Sequence, residues 1–437
     1  MKHETKFKET EIGKIPEDWE IGRLKDLIFV KGRIGWKGLK KSEFGDVGNI
    51  IINGPNIING KVNWEDCQRV PEWRFAESKE IEVKEKDILM TKDGTIGKVA
   101  YIECLPEPAT LASGIFLIRS NSNKLYQKFL YQYFNSKIFK NLVINRVEGS
   151  VIPHLYQRDI ELLNIILPKI EEQIVIAKIL SDLDAKIELN QQMNKTLEEI
   201  AKSIFKHWFV DFEFPNEQGK SYKSSGGEMI ESELGLIPKG WKVGKLKDLG
   251  YIQPGFAFKS SDFTNQGIGL IKIKNIDNSG DIVLKFESYL SNNIFNNISN
   301  KFYLNSGDCI IAMTGAELGK VGLIPSISET YLLNQRVGKV ISSHKHLFYL
   351  FLKSDSLQSL FFGIASASSA QGNISNTDIE SVNIIIPQNN DLLNLFEQSI
   401  SDLYFKYIEN LGENIKLAQI RNTLLPKLMS GEIRVDY

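Results

Sequence analysis

The feature that most restricts this chain is a duplication. ETEIGKIPEDWEIGRLKDL at 9–27 returns as ESELGLIPKGWKVGKLKDL at 231–249, with 11 of 19 positions identical at a constant offset of 222. KDILMTKDGTIGKVAYI at 86–102 is echoed by GDCIIAMTGAELGKVGLI at 307–324, and DIELLNIILP at 159–168 by DIESVNIIIP at 378–387. A chain of 437 residues arranged this way holds two copies of one module rather than one large domain.

Each copy is followed by a helical pattern. Over 171–208, Ile176, Leu180, Leu183, Ile187, Leu197, Ile204 and Trp208 recur at spacings of three and four, with Asn190, Asn194 and Ala201 completing the stripe. No Pro or Gly interrupts it, and a helix of that span would run roughly 57 Å, too long to lie buried in one small domain. The pattern returns over 401–429, where Ile400, Leu403, Tyr407, Asn410, Asn414, Leu417, Leu424 and Leu428 fall on the matching stripe. Asparagine in an apolar seam costs stability unless it meets a polar group, and it can fix register. The two stripes therefore predict a helix pair, with Leu180, Leu183, Ile187, Asn190, Asn194, Leu197, Leu403, Tyr407, Asn410, Asn414 and Leu417 at its seam. Because the chain leaves module one along the first helix, the second must return toward the start, making the pair antiparallel.

Inside each module, short β-branched runs alternate with Gly, Asn and Pro, which predicts a sheet with a few helices. The aromatic stretches 125–143 and 347–364 have helical spacing and are assigned to packing. PNEQGKSYKSSGGEM at 215–229 reads as linker by its Gly and Ser content.

A net charge of −1 hides an uneven distribution: 1–168 and 235–387 each carry +3, and the helical remainder carries −7. Two mildly basic modules on an acidic frame suit a polyanionic partner. Cys67, Cys104 and Cys309 form neither a CxxC pair nor a disulfide framework, pointing to a reducing compartment. The start MKHETKFKET lacks an apolar signal core and no apolar run approaches membrane-spanning length, so the expected location is the cytoplasm.

Catalytic and metal-binding patterns are not found. DGTIGKV and TGAELGKV lack the GxxxxGK[ST] spacing of a phosphate loop. The carboxylates of EVKEKD at 82–87 have no counterpart in the second copy, His344 and His346 form a lone HxH, and no NPPY or DPPY tetrapeptide of a methyltransferase occurs. The expectation is no catalytic residue and no metal ligand.

Taken in order, IPEDWEIGRLKDL, TKDGTIGKV, GSVIPHLYQRDIELLNIILPKIEEQIVIAKIL, LLNQRVGKV at 332–340, ASSAQGNISNTDIESVNIIIP and the terminal LMSGEIRV resemble the specificity subunit of a Type I restriction-modification enzyme over essentially the whole chain. The second helix departs from the family pattern at its start, where PQNNDLLNLFEQ replaces the usual PPxxEQ. The resemblance implies an α+β fold: two duplicated α/β target-recognition domains joined by two long helices, which form an antiparallel coiled coil with pseudo-twofold symmetry. It implies a bipartite double-stranded DNA target, one half-site per domain. It implies two methyltransferase subunits using S-adenosylmethionine and two translocating nuclease subunits using ATP and Mg2+, with no cofactor on this chain. The expected segments are 1–168 and 235–387 for the domains, 169–211 and 388–431 for the helices, 212–234 for a linker and 432–437 for a tail. Docking on one face of DNA would then place half-site centres about one helical turn, roughly 10 base pairs, apart.

Base reading needs forked donors and acceptors, while Lys, Ser and Thr grip phosphate. In module one these types fall at Lys31, Arg33, Trp36 and Lys37 of a basic, Gly-rich stretch, at Lys92 and Thr95 of the GTIG turn, and at Ser150, His154, Tyr156 and Arg158. In module two they fall at Lys259, Ser260, Lys274, Asn275, Thr314, Asn334, Gln335, Arg336, Gln371 and Asn373. Two other classes share parts of this pattern: a coiled-coil scaffold binding only protein, and a self-contained nuclease or methyltransferase. Steep loss of DNA affinity with salt would separate a reader from the first, and the second would need a catalytic motif absent here.

Overall fold

The computed structural model describes residues 5–33, 39–147, 154–277, 280–368 and 372–437. The chain forms two compact units, one of residues 1–185 with 417–437, the other of residues 186–416. Both long helices contribute to both units. The first spans Ile170–Phe205 and continues as a π-helical turn, Lys206–Val210; the second spans Asn390–Ser430.

The first unit opens with the hairpin Phe7–Thr10 and Gly13–Pro16. Strand Glu20–Arg23 then pairs antiparallel with Asn164–Leu167, so the beginning and end of the module are hydrogen-bonded to each other. A four-stranded antiparallel sheet runs in the order Val99–Tyr101, Ile88–Thr91, Ile115–Ser120, Ile28–Gly32. A second sheet sets Ala109–Leu111 parallel to Asn49–Ile52, with Gln68–Val70 antiparallel on the other side. Alternation in the strands feeds two cores. Ile88 and Met90 join Phe129, Leu130 and Phe134 of the helical layer, whereas Leu89 joins Ile50, Ile52 and Leu111 of the second sheet.

The second unit repeats the plan. Met229–Ser232 pairs with Gly235–Pro238, Trp241–Lys245 with Asn383–Pro387, and a four-stranded sheet runs Tyr251–Pro254, Val337–Ile341, Cys309–Ala312, Val321–Leu323. The parallel pair recurs as Ile268–Ile271 beside Tyr331–Leu333. Each apolar aromatic stretch becomes two helices, Gln127–Asn135 with Lys137–Val147 and Lys345–Lys353 with Asp355–Ser368.

The structure corrects the expected linker at 212–234. Phe212 and Phe214 are buried, Tyr222 stacks on Phe214 at 4.6 Å, and Met229–Ser232 is already the first strand of the second hairpin. Averaged composition hides these aromatics among polar neighbours, yet they carry the packing.

The duplicated tryptophans are anchored differently. In the first unit the Trp19 indole Nε1 donates to the fully buried Glu172 at 2.9 Å. Arg434 donates to Glu172 at 2.7 and 3.0 Å and to Asp18 at 2.9 and 2.8 Å, and its guanidinium lies 5.4 Å over the Trp19 ring. The hydrogen bonds from Arg434 hold the Asp18 carboxyl below its ordinary range, and those to Glu172 raise the guanidinium in turn. In the second unit Trp241 meets the rings of Phe214 at 4.9 Å, Phe209 at 5.4 Å and Phe212 at 5.6 Å. Phe212 adopts φ +61°, a left-handed conformation rarely held by a bulky residue, and its burial against Trp241 offsets the strain.

The helix pair is antiparallel within each unit. In the first, Ile176, Ala177 and Leu180 pack with Leu425, Leu428 and Met429, Arg421 donates to Asp184 at 2.6 Å, and Leu183 and Leu417 are half-buried. In the second, Asn190 donates to Asn414 at 3.0 Å and to Glu413 at 2.8 Å, Asn410 donates to Asn194 at 2.9 Å, and Asn194 donates to the Tyr407 carbonyl at 3.1 Å. Ile187, Leu197 and Leu403 are half-buried around this polar core, and Tyr407 is buried. Gly412 lets a module loop reach the helix: a Cβ there would sit 2.0 Å from the Ser326 carbonyl oxygen, beside the bond from Ser326 N to Ile408 O.

Candidate nucleic-acid interface

In the second unit four loops are joined backbone to backbone at the end of strand Cys309–Ala312. Phe256 donates to Leu333 at 2.9 Å and Gln335 to Phe256 at 3.0 Å; Met313 donates to Arg336 at 3.1 Å, Ile374 to Met313 at 3.1 Å and Gly315 to Gly372 at 3.0 Å. Gly255 permits the tightest approach, since a Cβ there would lie 2.0 Å from the Asn334 carbonyl oxygen. On this ledge Gln335, Arg336 and Asn373 are exposed. Phe256, 40% exposed, is braced edge-on by Phe258 at 4.9 Å and Phe302 at 5.2 Å. The Thr314 hydroxyl is covered and has no hydrogen-bond partner among the described residues. Asn334 is half-buried, and its side-chain oxygen is 3.5 Å from Arg336 N. Forked side chains on a backbone fixed by sheet hydrogen bonds are what direct reading of base edges requires.

The first unit builds a ledge at the matching place with other side chains. Lys92 N donates to Gly114 O at 2.9 Å, Leu155 N donates to Lys92 O at 3.0 Å, and Asp93 bridges His154, as Thr314 bridges Asn373 in the other copy. The His154 imidazole contacts the Asp93 carboxylate and lies 4.6 Å from the Tyr156 ring, edge to face. Arg158 sits 5.2 Å over that ring, and Tyr156 is 53% exposed. Thr95 is exposed in the turn, and Lys92 lies half-buried, 3.6 Å from Asp93 and 5.6 Å over Phe116.

Other candidates take different positions. Arg33 is buried and donates to Leu111 O at 2.8 Å and to Ser78 and Thr110 hydroxyls at 3.2 Å, so its guanidinium serves the interior; burial also lowers its pKa. Asn275 is buried as a turn cap, donating to Val283 O at 2.7 Å and accepting from Lys272 N at 3.0 Å. Lys31 is half-buried on its strand, Lys259 and Ser260 are exposed in a short turn, and exposed Lys274 is paired with Glu287. Trp36, Lys37, Ser150 and Gln371 lie outside the described residues. Sequence reasoning passed over Phe256, whose apolar character gave no hydrogen-bonding signal, and exposed Ser113, which occupies the turn matching Asn334–Arg336.

Among the described residues, no group of three His, Cys, Asp or Glu could hold a metal, and no helix is long and apolar enough to cross a membrane.

The model of the Type I restriction modification DNA specificity domain matches residues 16–199 and again 238–422. The chain is 28% identical to the Type I restriction enzyme MjaIX specificity subunit of Methanocaldococcus jannaschii, over 99% of this chain and 98% of that protein. It is 24% identical to the HindI specificity subunit of Haemophilus influenzae, over 90% and 96% respectively. The crystal structure of a Type I restriction-modification S subunit from M. genitalium superposes with a TM-score of 0.58 at 16% identity, covering 96% of both chains.

Proposed function

The chain belongs to the Type I restriction modification DNA specificity family, and we propose that its two ledges each read one half of a divided DNA sequence. It is the DNA sequence-specificity subunit of a Type I restriction-modification system and its non-catalytic recognition component. The observation that supports the reading by halves is the repeated ledge: matching turns are bridged at Asp93–His154 and Thr314–Asn373, yet they carry unlike exposed side chains. In the second module Gln335, Arg336 and Asn373 are placed to address base edges, with Arg suited to guanine and Gln or Asn to adenine. Phe256 adds an apolar contact. In the first module Tyr156, His154 and Arg158 take that role, while Lys92 and Thr95 face phosphate.

The same reading assigns adenine methylation to two partner methyltransferase subunits using S-adenosylmethionine. It assigns DNA translocation and cleavage to two partner subunits using ATP and Mg2+, all in the cytoplasm. The test is exchange of residues 235–387 for the equivalent module of a relative within the full complex, followed by mapping of methylated adenines. One changed half and one retained half is the expected result. Change in both halves contradicts it, and so does methyl transfer by the purified chain without partners.

A further inference from the structure

We propose that the two tryptophan anchors are sorting keys: the cradle of the first module admits only the arginine-bearing end of the second helix, and that of the second module admits only the aromatic end of the first helix. The inference is independent of what the ledges bind.

A duplicated chain carries a specific hazard. Its two modules and two helix ends are alike enough for the first helix end of another copy to dock where the C-terminal segment belongs. The anchors differ at every position that would decide this. At the offset of 220 that aligns the helices, Phe214 stands where Arg434 stands, and Leu392 and Leu393 stand where Glu172 and Gln173 stand. At the offset of 222 that aligns the hairpins, Gly240 stands where Asp18 stands. In each anchor the differing residue lies against the tryptophan ring, Arg434 at 5.4 Å over Trp19 and Phe214 at 4.9 Å from Trp241. A phenylalanine end in the first cradle would leave Glu172 buried without its cation. An arginine end in the second would meet leucine and glycine where its carboxylates should be. Each mismatch strands a charge, which is far costlier than loss of a fitted pair.

The test uses the full-length chain and the accessibility of its C-terminal segment to a carboxypeptidase. Asp18→Gly with Glu172→Leu converts the first cradle but keeps Arg434. Trimming past residue 434 should accelerate about 100-fold, because the end no longer docks. Adding Arg434→Phe should return the rate to within about threefold of the original, and should equally restore folding if the double variant fails to fold. Trimming of the double variant at the original rate overturns the proposal. So does a triple variant as open, or as unfolded, as the double one.

Discussion

Trp19 and Trp241 occupy the same point of a duplicated frame and are held by opposite chemistry, a buried charge network in one unit and a packed set of rings in the other. The changes between the two anchors are matched inside the chain: arginine pairs with glutamate and aspartate, and phenylalanine packs on tryptophan in the apolar cluster that also holds Leu393. The ledges differ as much, with Tyr156 and Arg158 in one against Gln335 and Arg336 in the other, but these side chains are displayed at the surface rather than packed inside the chain. A difference compensated within the chain serves the fold. One displayed on a backbone-fixed, exposed rim is open to a partner, which for this family is DNA.

The largest loss is expected at the aromatic anchor. Phe209→Ala removes a ring packed against Trp241, Phe205, Phe351 and Phe396, and should cost about 4 kcal/mol in urea unfolding of the second unit. Arg434→Ala should cost the first unit about 3 kcal/mol, since Glu172 stays buried without its cation. That loss should depend on pH and the first should not. The Asp18 carboxyl is depressed by its hydrogen bonds to Arg434, so its contribution is present above the ordinary value of 3.8 and disappears as pH falls through the lower folded value. The gap between wild type and Arg434→Ala should therefore narrow below pH 3.8; a constant gap down to the acid transition would refute the charged anchor.

Smaller effects sharpen the same contrast. Asn194→Leu orphans the Asn410 amide and removes the side-chain hydrogen bond that the Tyr407 carbonyl accepts in the helix seam, and should cost about 1–2 kcal/mol by thermal unfolding. Tyr156→Ala, on the exposed ledge, should change stability by less than about 0.5 kcal/mol while weakening DNA binding in a gel shift. A large loss of stability there would make Tyr156 a packing residue.

The duplication, the long helices and the asparagine seam were legible because period and offset survive in sequence. Orientation was not. Arg33 has the composition of a reading loop, yet its guanidinium turns inward to Leu111, Ser78 and Thr110, and Asn275 caps a turn for the same lack of any sequence signal of direction. The stretch 215–229 looked like a linker because its six Ser and Gly residues outweighed Tyr222 in any average, and the rings of Phe212 and Phe214 lie just before it. The ledges themselves depend on bridges between residues some 60 positions apart, such as Asp93 and His154, which no local pattern announces.

The central claim is that each ledge addresses its own half of the target. Replacing Gln335 and Arg336 together by alanine in the assembled complex, and mapping methylated adenines genome-wide, tests it most directly. The account predicts relaxed sequence preference confined to one half-site, with the other half and the spacer unchanged. An unaltered target in a folded, active variant, or relaxation of both halves together, would contradict it.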